Sequence, residues 1–319
     1  MAGYVLKRLL SIVLTMAVMS VLIFWISQVM PGNVAYMILG DFASPQDVAT
    51  LEAKLGLNDP AYVQYLRWAS GLLQGDLGRS LVMDRPIAPV LWDAVGKSAI
   101  LAGISIGLVA LLGISLGVYA GVRHGRISDH IVSVATYINI AIPEFLWAIV
   151  IVMLFAGYLN WFPATGYSDL SNGASSWARH LVLPVFTLVT GLIAHVSRLT
   201  RSSMIDTMQT QYVRAARARG LPETLVIRRH ALPNALLPTI TILAIDVGIM
   251  MGGIVVVETI FSYPGLGRLL MFAIQNMDVP LLQACMMVIT FVYAAANLVA
   301  DLLYAFLNPK VRYGGSSSE

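Results

Sequence analysis

Six runs of about 20 or more mostly apolar residues divide this sequence, near residues 9–30, 98–122, 131–157, 181–203, 235–260 and 281–306. A bilayer's hydrocarbon core is about 30 Å thick and a helix rises about 1.5 Å per residue, so each run is long enough to cross it. Lipid offers no partner for backbone N–H and C=O groups, which leaves helices and closed barrels as the structures that can span it. The runs have helical length and are interrupted by Gly, unlike the alternating strands of about 10 residues that build a barrel. We therefore expect an all-α integral membrane protein with about six transmembrane helices. A composition of 58% hydrophobic and 12% charged residues agrees, since soluble domains carry about twice that charge.

Lys7 and Arg8 ahead of the first run give it the look of a secretory signal peptide. The apolar core of such a peptide is about 7–15 residues, however, and the stretch from Leu9 to Met30 can cross a bilayer, so we read an uncleaved helix. The single cysteine, Cys285, falls inside the last run and has no partner for a disulfide. Short cytoplasmic loops collect Lys and Arg. With the N-terminus inside, that side holds Lys7, Arg8, Arg123, Arg126, Arg198, Arg201, Arg214, Arg217, Arg219, Arg228, Arg229, Lys310 and Arg312, while the other side is poorer and diluted by acids. Both termini are expected in the cytoplasm. The pI of about 9.0 then reflects loop bias, and no nucleic-acid partner is expected.

Residues 31–97 are too many for a simple connection and should carry structure of their own outside the membrane. Ser44-Pro45-Gln46-Asp47 reads as a helix start, with a capping Ser, Pro at the first helical position and an acid in the first turn, and Gly56 as its left-handed stop. A second helix should begin at Asp59-Pro60, place Tyr62, Tyr65, Leu66, Leu72 and Leu73 on a buried stripe, and end near Gly75. Two readings stay open, a docking surface or a tether folded against the membrane helices.

Three strings invite an enzymatic reading. Gly103–Gly107 and Gly113–Gly117 both match G-x-S-x-G, around Ser105 and Ser115, but a nucleophile elbow needs a strand-turn-helix context and both lie in one apolar helix. Gly96-Lys97-Ser98 ends like a phosphate-binding loop, yet Leu91 stands where the upstream Gly is required. No catalytic residue, cofactor site or metal site is expected. At 100° per residue, Gly103, Gly107, Ala110, Gly117 and Gly121 share one face, which suits close packing of a neighbouring helix.

Ionisable groups inside spans are costly, which makes them functional candidates. Glu144, after Pro143 midway along the third run, and Asp246, deep in the fifth, are candidates to line a translocation pathway and meet a cationic solute group. A buried acid bonded to a neighbouring helix is the alternative. Glu258 is a third pathway candidate, although structural bonding suits it and Asp301 better. His195 has no second ligand at metal-binding spacing.

The segment from Tyr212, YVRAARARGLPETLVIRRHALPNALLP, is basic at its edges and small or apolar at its centre. Gly220-Leu221-Pro222 should separate two short helices, because Gly permits a left-handed stop and Pro a fresh start. Such a projection suits a groove on a partner, whereas anionic lipid alone would satisfy the arginines. Its spacing resembles the loop signature of the membrane subunits of ABC importers, in which an acid-Ala-Ala triplet precedes a Gly and a closing Leu-Pro. Ala215, Ala216, Gly220, Leu232 and Pro233 occupy those places, with Leu221 after the glycine, while Arg214 replaces the acid and His230 an aliphatic residue. Those departures resemble the oligopeptide/dipeptide/nickel branch. YVLKRLLSIV at Tyr4, MPGN at Met30, LGLNDPAYVQYLRWASGLLQGDLGRSL at Leu55, ETIFSYPGLGRLL at Glu258 and DLLYAFLNPKVRYG at Asp301 resemble the first of the two permeases of peptide import systems.

The resemblance implies a type I ABC importer permease fold in a prokaryotic inner membrane. It implies an N-terminal helix (1–30), an extracytoplasmic helical insert (31–97), a core (98–306) with a coupling loop (204–233), and a tail (307–319). It implies a non-catalytic subunit that pairs with a second, homologous permease. Two cytoplasmic ATPases would bind the ATP and Mg, and an extracytoplasmic binding protein would deliver the solute. Peptides are the expected solute, with nickel chelates or glutathione-type compounds as the alternative. An ion-coupled secondary transporter is the rival class, and would use the intramembrane acids without an ATPase.

Overall fold

The computed structural model describes residues 2–29 and 43–307, together with Tyr36 and Leu39. The MPGN motif, the 308–319 part of the expected tail and the end of the last quoted motif lie outside the described residues. Five helices are long and apolar enough to cross a membrane, over Val5–Val29, Ile87–Val122, Ala174–Met208, Glu223–Ile260 and Val279–Leu303. A sixth crossing requires the pair Ile127–Ala141 and Glu144–Tyr158 to count as one, and that pair is bent by 101°. The described chain falls into two compact units, one built on Ala99–Tyr263 and the other on Leu6–Ser98 with Pro264–Ala294.

In the second unit, α1 (Ala2–Val29) is followed by α2 (Pro45–Leu55) and α3 (Ala61–Leu73). Ser44 accepts the Asp47 N–H, Pro45 opens α2, and Gly56 closes it at φ 68°, as the sequence pattern implies. The stripe expected on α3 is not buried. Tyr62, Leu66 and Leu73 are exposed, while Tyr65 and Trp68 turn to Phe24 of α1 and Tyr65 Oη lies 2.9 Å from Ser20 Oγ. A helix of 13 residues has too little surface to form a core by itself, and its aromatic side chains supply one only by docking. The insert also holds a hairpin that periodicity did not suggest, Arg79–Ser80 (β1) paired antiparallel with Arg85–Pro86 (β2). Asp278, fully buried, organises it by accepting from Ser80 Oγ and from the N–H groups of Leu81 and Val82, both at 3.3 Å. Below the hairpin, Ile87 and Leu91 pack against Leu266, Leu270, Leu281 and Cys285, residues of α10 (Leu266–Gln275) and α11 (Val279–Leu307).

In the first unit, α4 (Ile87–Val122) runs beside α7 (Ala174–Met208) along glycines. A Cβ added to Gly113 would come within 2.9 Å of Val196, on Gly117 within 2.6 Å of the Ser197 carbonyl, and on Gly121 within 2.6 Å of Met204. Backbones approach this closely only where side chains are missing. The packing face is thus Gly113-Gly117-Gly121, at an exact four-residue step. Gly103 and Gly107, expected on the same face, meet no atom within 4 Å, because the row of i+4 positions drifts around the helix away from them.

The third run is also not one straight helix. α5 (Ile127–Ala141) stops because a residue before Pro leaves the α region, and Ile142 sits at φ −95° and ψ 120°. Pro143 then caps α6 (Glu144–Ile151), which continues as a π-wound segment, Val152–Tyr158. α9 (Leu232–Ile260) completes the unit, and its Met250, Ile254 and Val257 pack with Leu183, Leu188 and Val196 of α7. Phe261 and Tyr263 close that core. Burial pushes the Tyr263 phenol above its usual pKa, and its ring stands edge-on to Tyr167 with centroids 5.3 Å apart.

Candidate functional site

The segment between α7 and α9 is a thin layer with an oily underside and a basic top. α8 (Gln211–Ala218) carries Val213 and Ala216 three residues apart, so both face inward. They join Met204, Val226, Ala231 and Ala235 in a small core, with Leu221, Ile227 and Leu232 at its edge. Gly220 ends α8 at φ 76°, a conformation a side chain makes costly. Pro222 precedes a single turn, Glu223–Leu225, which passes through the π-wound Val226–Ala231 into α9, where Pro233 occupies the first turn. Across the Gly220 turn, Arg217 forks onto Glu223, with Nη2–Oε1 at 2.6 Å and Nε–Oε2 at 3.0 Å. The carboxylate holds that guanidinium above its usual pKa.

The top of this layer exposes Arg214, Ala215, Ala218, Arg219, Gly220, Arg228, Arg229 and Pro233. Of the residues expected to dock, Arg214, Ala215, Gly220 and Pro233 are therefore outside. Ala216 is 6% exposed, and its small size serves the inner core. Leu221 and Leu232 are half-buried at the edge of that core. Among the described residues, and apart from Gly220 and its two chain neighbours, no atom lies within 4 Å of where a Gly220 Cβ would stand, so the demand for glycine there is conformational.

The root of this segment is tied down by a cluster that sequence reasoning missed. Asp129, in the first turn of α5 and 1% exposed, accepts from Nε and Nη2 of Arg201 on α7, the second at 2.8 Å. The Gly125 N–H donates to it at 3.0 Å, and His124 Nδ1 lies 3.2 Å away. The partners are 72 residues apart, so spacing within either helix carried no trace of the pair. The one local signal was an acid in the first turn of a span, directly after a basic turn.

The acids expected along a pathway have separate surroundings. Glu144 opens α6 with its carboxylate against the glycines of two other helices. A Cβ on Gly191 of α7 would lie 3.5 Å from its Cδ, and one on Gly253 of α9 would lie 2.8 Å from its Oε1. Those glycines make room for the acid. Asp246 is fully buried, and among the described residues neither carboxylate oxygen has a hydrogen-bond partner; His195 Nδ1 is 3.8 Å from its Oδ1. Glu258 is fully buried near the end of α9. Ser105, buried, and Ser115, exposed, lie on one helix, α4. Among the described residues, no group of three His, Cys, Asp or Glu is placed to hold a metal.

The comparisons with known proteins agree with this architecture. Residues 113–313 match the family described as "Binding-protein-dependent transport system inner membrane component", and residues 1–98 match its N-terminal companion. The chain is 35% identical over 313 residues to a Sinorhizobium fredii protein named "Probable peptide ABC transporter permease protein y4tP", covering 98% of this chain and 100% of that one. It is 36% identical over the same length, with the same coverage, to the "Glutathione transport system permease protein GsiC" of Salmonella paratyphi A. A solved structure titled "Crystal structure of an amino acid ABC transporter with histidines" shares the fold at a TM-score of 0.52 and 13% identity, covering 70% of this chain and 94% of that one. The chain belongs to the family of inner-membrane permease components of binding-protein-dependent ABC import systems.

Proposed function

We propose that this chain forms half of the translocation pathway of a peptide importer. It pairs with a second, homologous permease, receives solute from an extracytoplasmic binding protein, and docks two cytoplasmic ATPases that hold ATP and Mg. The observation that carries this reading is the built surface over residues 211–231, where small and basic residues lie outermost on a layer continuous with two spans. The printed names of the relatives, peptide and glutathione permeases, support a peptide-like solute. Lys and Arg bias puts both termini and this surface in the cytoplasm.

The mechanism is mechanical. Closure of the ATPase dimer draws the two permeases' loops together, and α7 and α9, rooted in the loop's own core, carry that motion into the membrane. Asp246 and Glu258 on α9, and Glu144 on α6 beside both helices, are the pathway candidates. The test is co-expression with the neighbouring genes, purification of the complex, and assay of ATP hydrolysis and uptake with peptide-loaded binding protein. Hydrolysis stimulated by loaded binding protein is expected. Gly220→Val, which forces a β-branched residue into a left-handed conformation at a cost of about 1–3 kcal/mol, should uncouple uptake while leaving membrane insertion intact. Normal uptake in that variant overturns the docking role, and ion-driven uptake by the chain alone overturns the importer reading.

A further inference from the structure

A cavity of about 430 Å³ opens between α5 and α7, lined by Ser133, Tyr137, His195, Arg198, Arg201 and Ser202 among others. That volume lies in the range of small-molecule sites, about 300–1,000 Å³. No acidic side chain lines it, and four hydroxyls do, those of Ser133, Thr136, Tyr137 and Ser202. Its two arginines differ in state. Arg201 is neutralised by Asp129, which it grips through two nitrogens. Arg198, one turn earlier, has no carboxylate partner among the described residues; its guanidinium lies over the Tyr137 ring, 5.0 Å from the centroid. An aromatic face attracts a cation but cancels no charge.

A guanidinium with no carboxylate beside it, at the inner end of a span, is placed to attract an anion. His195, a further turn back on the same face, directs Nδ1 toward buried Asp246 and leaves Nε2 as the nitrogen available to a ligand. The site therefore offers a fixed cation, an imidazole and hydroxyl donors to one anion.

We propose that this cavity is an oxyanion subsite of the pathway, in which Arg198 pairs with the terminal carboxylate of the translocated peptide. The proposal rests on the peptide-importer reading above. A lipid phosphate shares the chemistry and is the competing occupant.

The experiment uses the whole transporter in proteoliposomes with its binding protein. Uptake of one dipeptide is compared with uptake of its C-terminal amide, each at a concentration that saturates the binding protein. The binding protein is common to every permease variant, so its own preference cancels in the comparison. Arg198→Ala should lower uptake of the acid at least about tenfold more than uptake of the amide, as loss of a charge-assisted bond predicts, and Arg198→Lys should restore much of it. Direct binding to the complex without binding protein should show the same loss for the free-carboxylate peptide alone. Equal loss for acid and amide overturns the proposal in favour of a structural role. A loss that follows the phosphatidylglycerol content of the vesicles, whatever the peptide terminus, overturns it in favour of a headgroup. If the wild-type complex imports neither peptide, the importer reading itself fails.

Discussion

Removing the Asp129 carboxylate leaves Arg201 without its partner; breaking a fully buried pair from one side costs about 3–5 kcal/mol, and the 27% exposure of the Arg201 side chain makes the cost here smaller. Asp129→Ala should therefore lower the thermal unfolding temperature of the purified protein clearly, and Asp129→Ala with Arg201→Met should recover most of the loss. Fluorescence-detected thermal stability in detergent checks both, and a double variant that melts no higher than Asp129→Ala would show that the unpaired guanidinium carries no penalty. This pair was not legible from the sequence, in which Arg201 read simply as one more positive-inside residue. Gly220 was legible, because a left-handed stop between two short helices can be satisfied cheaply by few residues, and it stands at φ 76°. Ala216 was legible as a small residue but not as an inward one, since which side of α8 is buried depends on Met204, Val226 and Ala231.

Helix α4 shows how far a pattern along one element can be pushed. Its glycines announced close packing, but a face at 100° per residue is wide, and the neighbour's path selects which part of it is used. α7 crosses at Gly113, Gly117 and Gly121. Gly117→Leu should therefore destabilise by at least about 1–3 kcal/mol through overpacking, because the Ser197 carbonyl cannot retreat without bending α7. Gly103→Ala, with open space around it, should be neutral or stabilising by up to about 1 kcal/mol through helix propensity. The same stability assay separates them, and similar losses at both positions would contradict the packing register. The α5–α6 break was half-visible. Pro143 marked its place, but a Pro inside an apolar run is compatible with a mild kink, and only the folded chain shows the turn of 101° with Glu144 set against Gly191 and Gly253.

The number of crossings depends on that break, and labelling decides it. Native Cys285 is fully buried and should stay silent toward a membrane-impermeant maleimide. Leu170→Cys and Arg219→Cys place thiols at exposed positions on either side of α7. In right-side-out vesicles Leu170→Cys should react and Arg219→Cys should not, while Arg126→Cys should behave like Arg219→Cys. If Leu170→Cys and Arg126→Cys label from the same side, the α5–α6 pair is re-entrant and the chain crosses five times in its described part. Hydropathy alone established that the chain lives in lipid, that it is helical, and roughly where each span lies, because a bilayer imposes its thickness on any sequence that enters it. Loop spacing marked the segment that is proposed to face a partner. Which glycines touch, which arginine is neutralised and which stands over an aromatic ring instead follow from contacts between residues far apart in the chain, and such contacts exist only once the helices have packed.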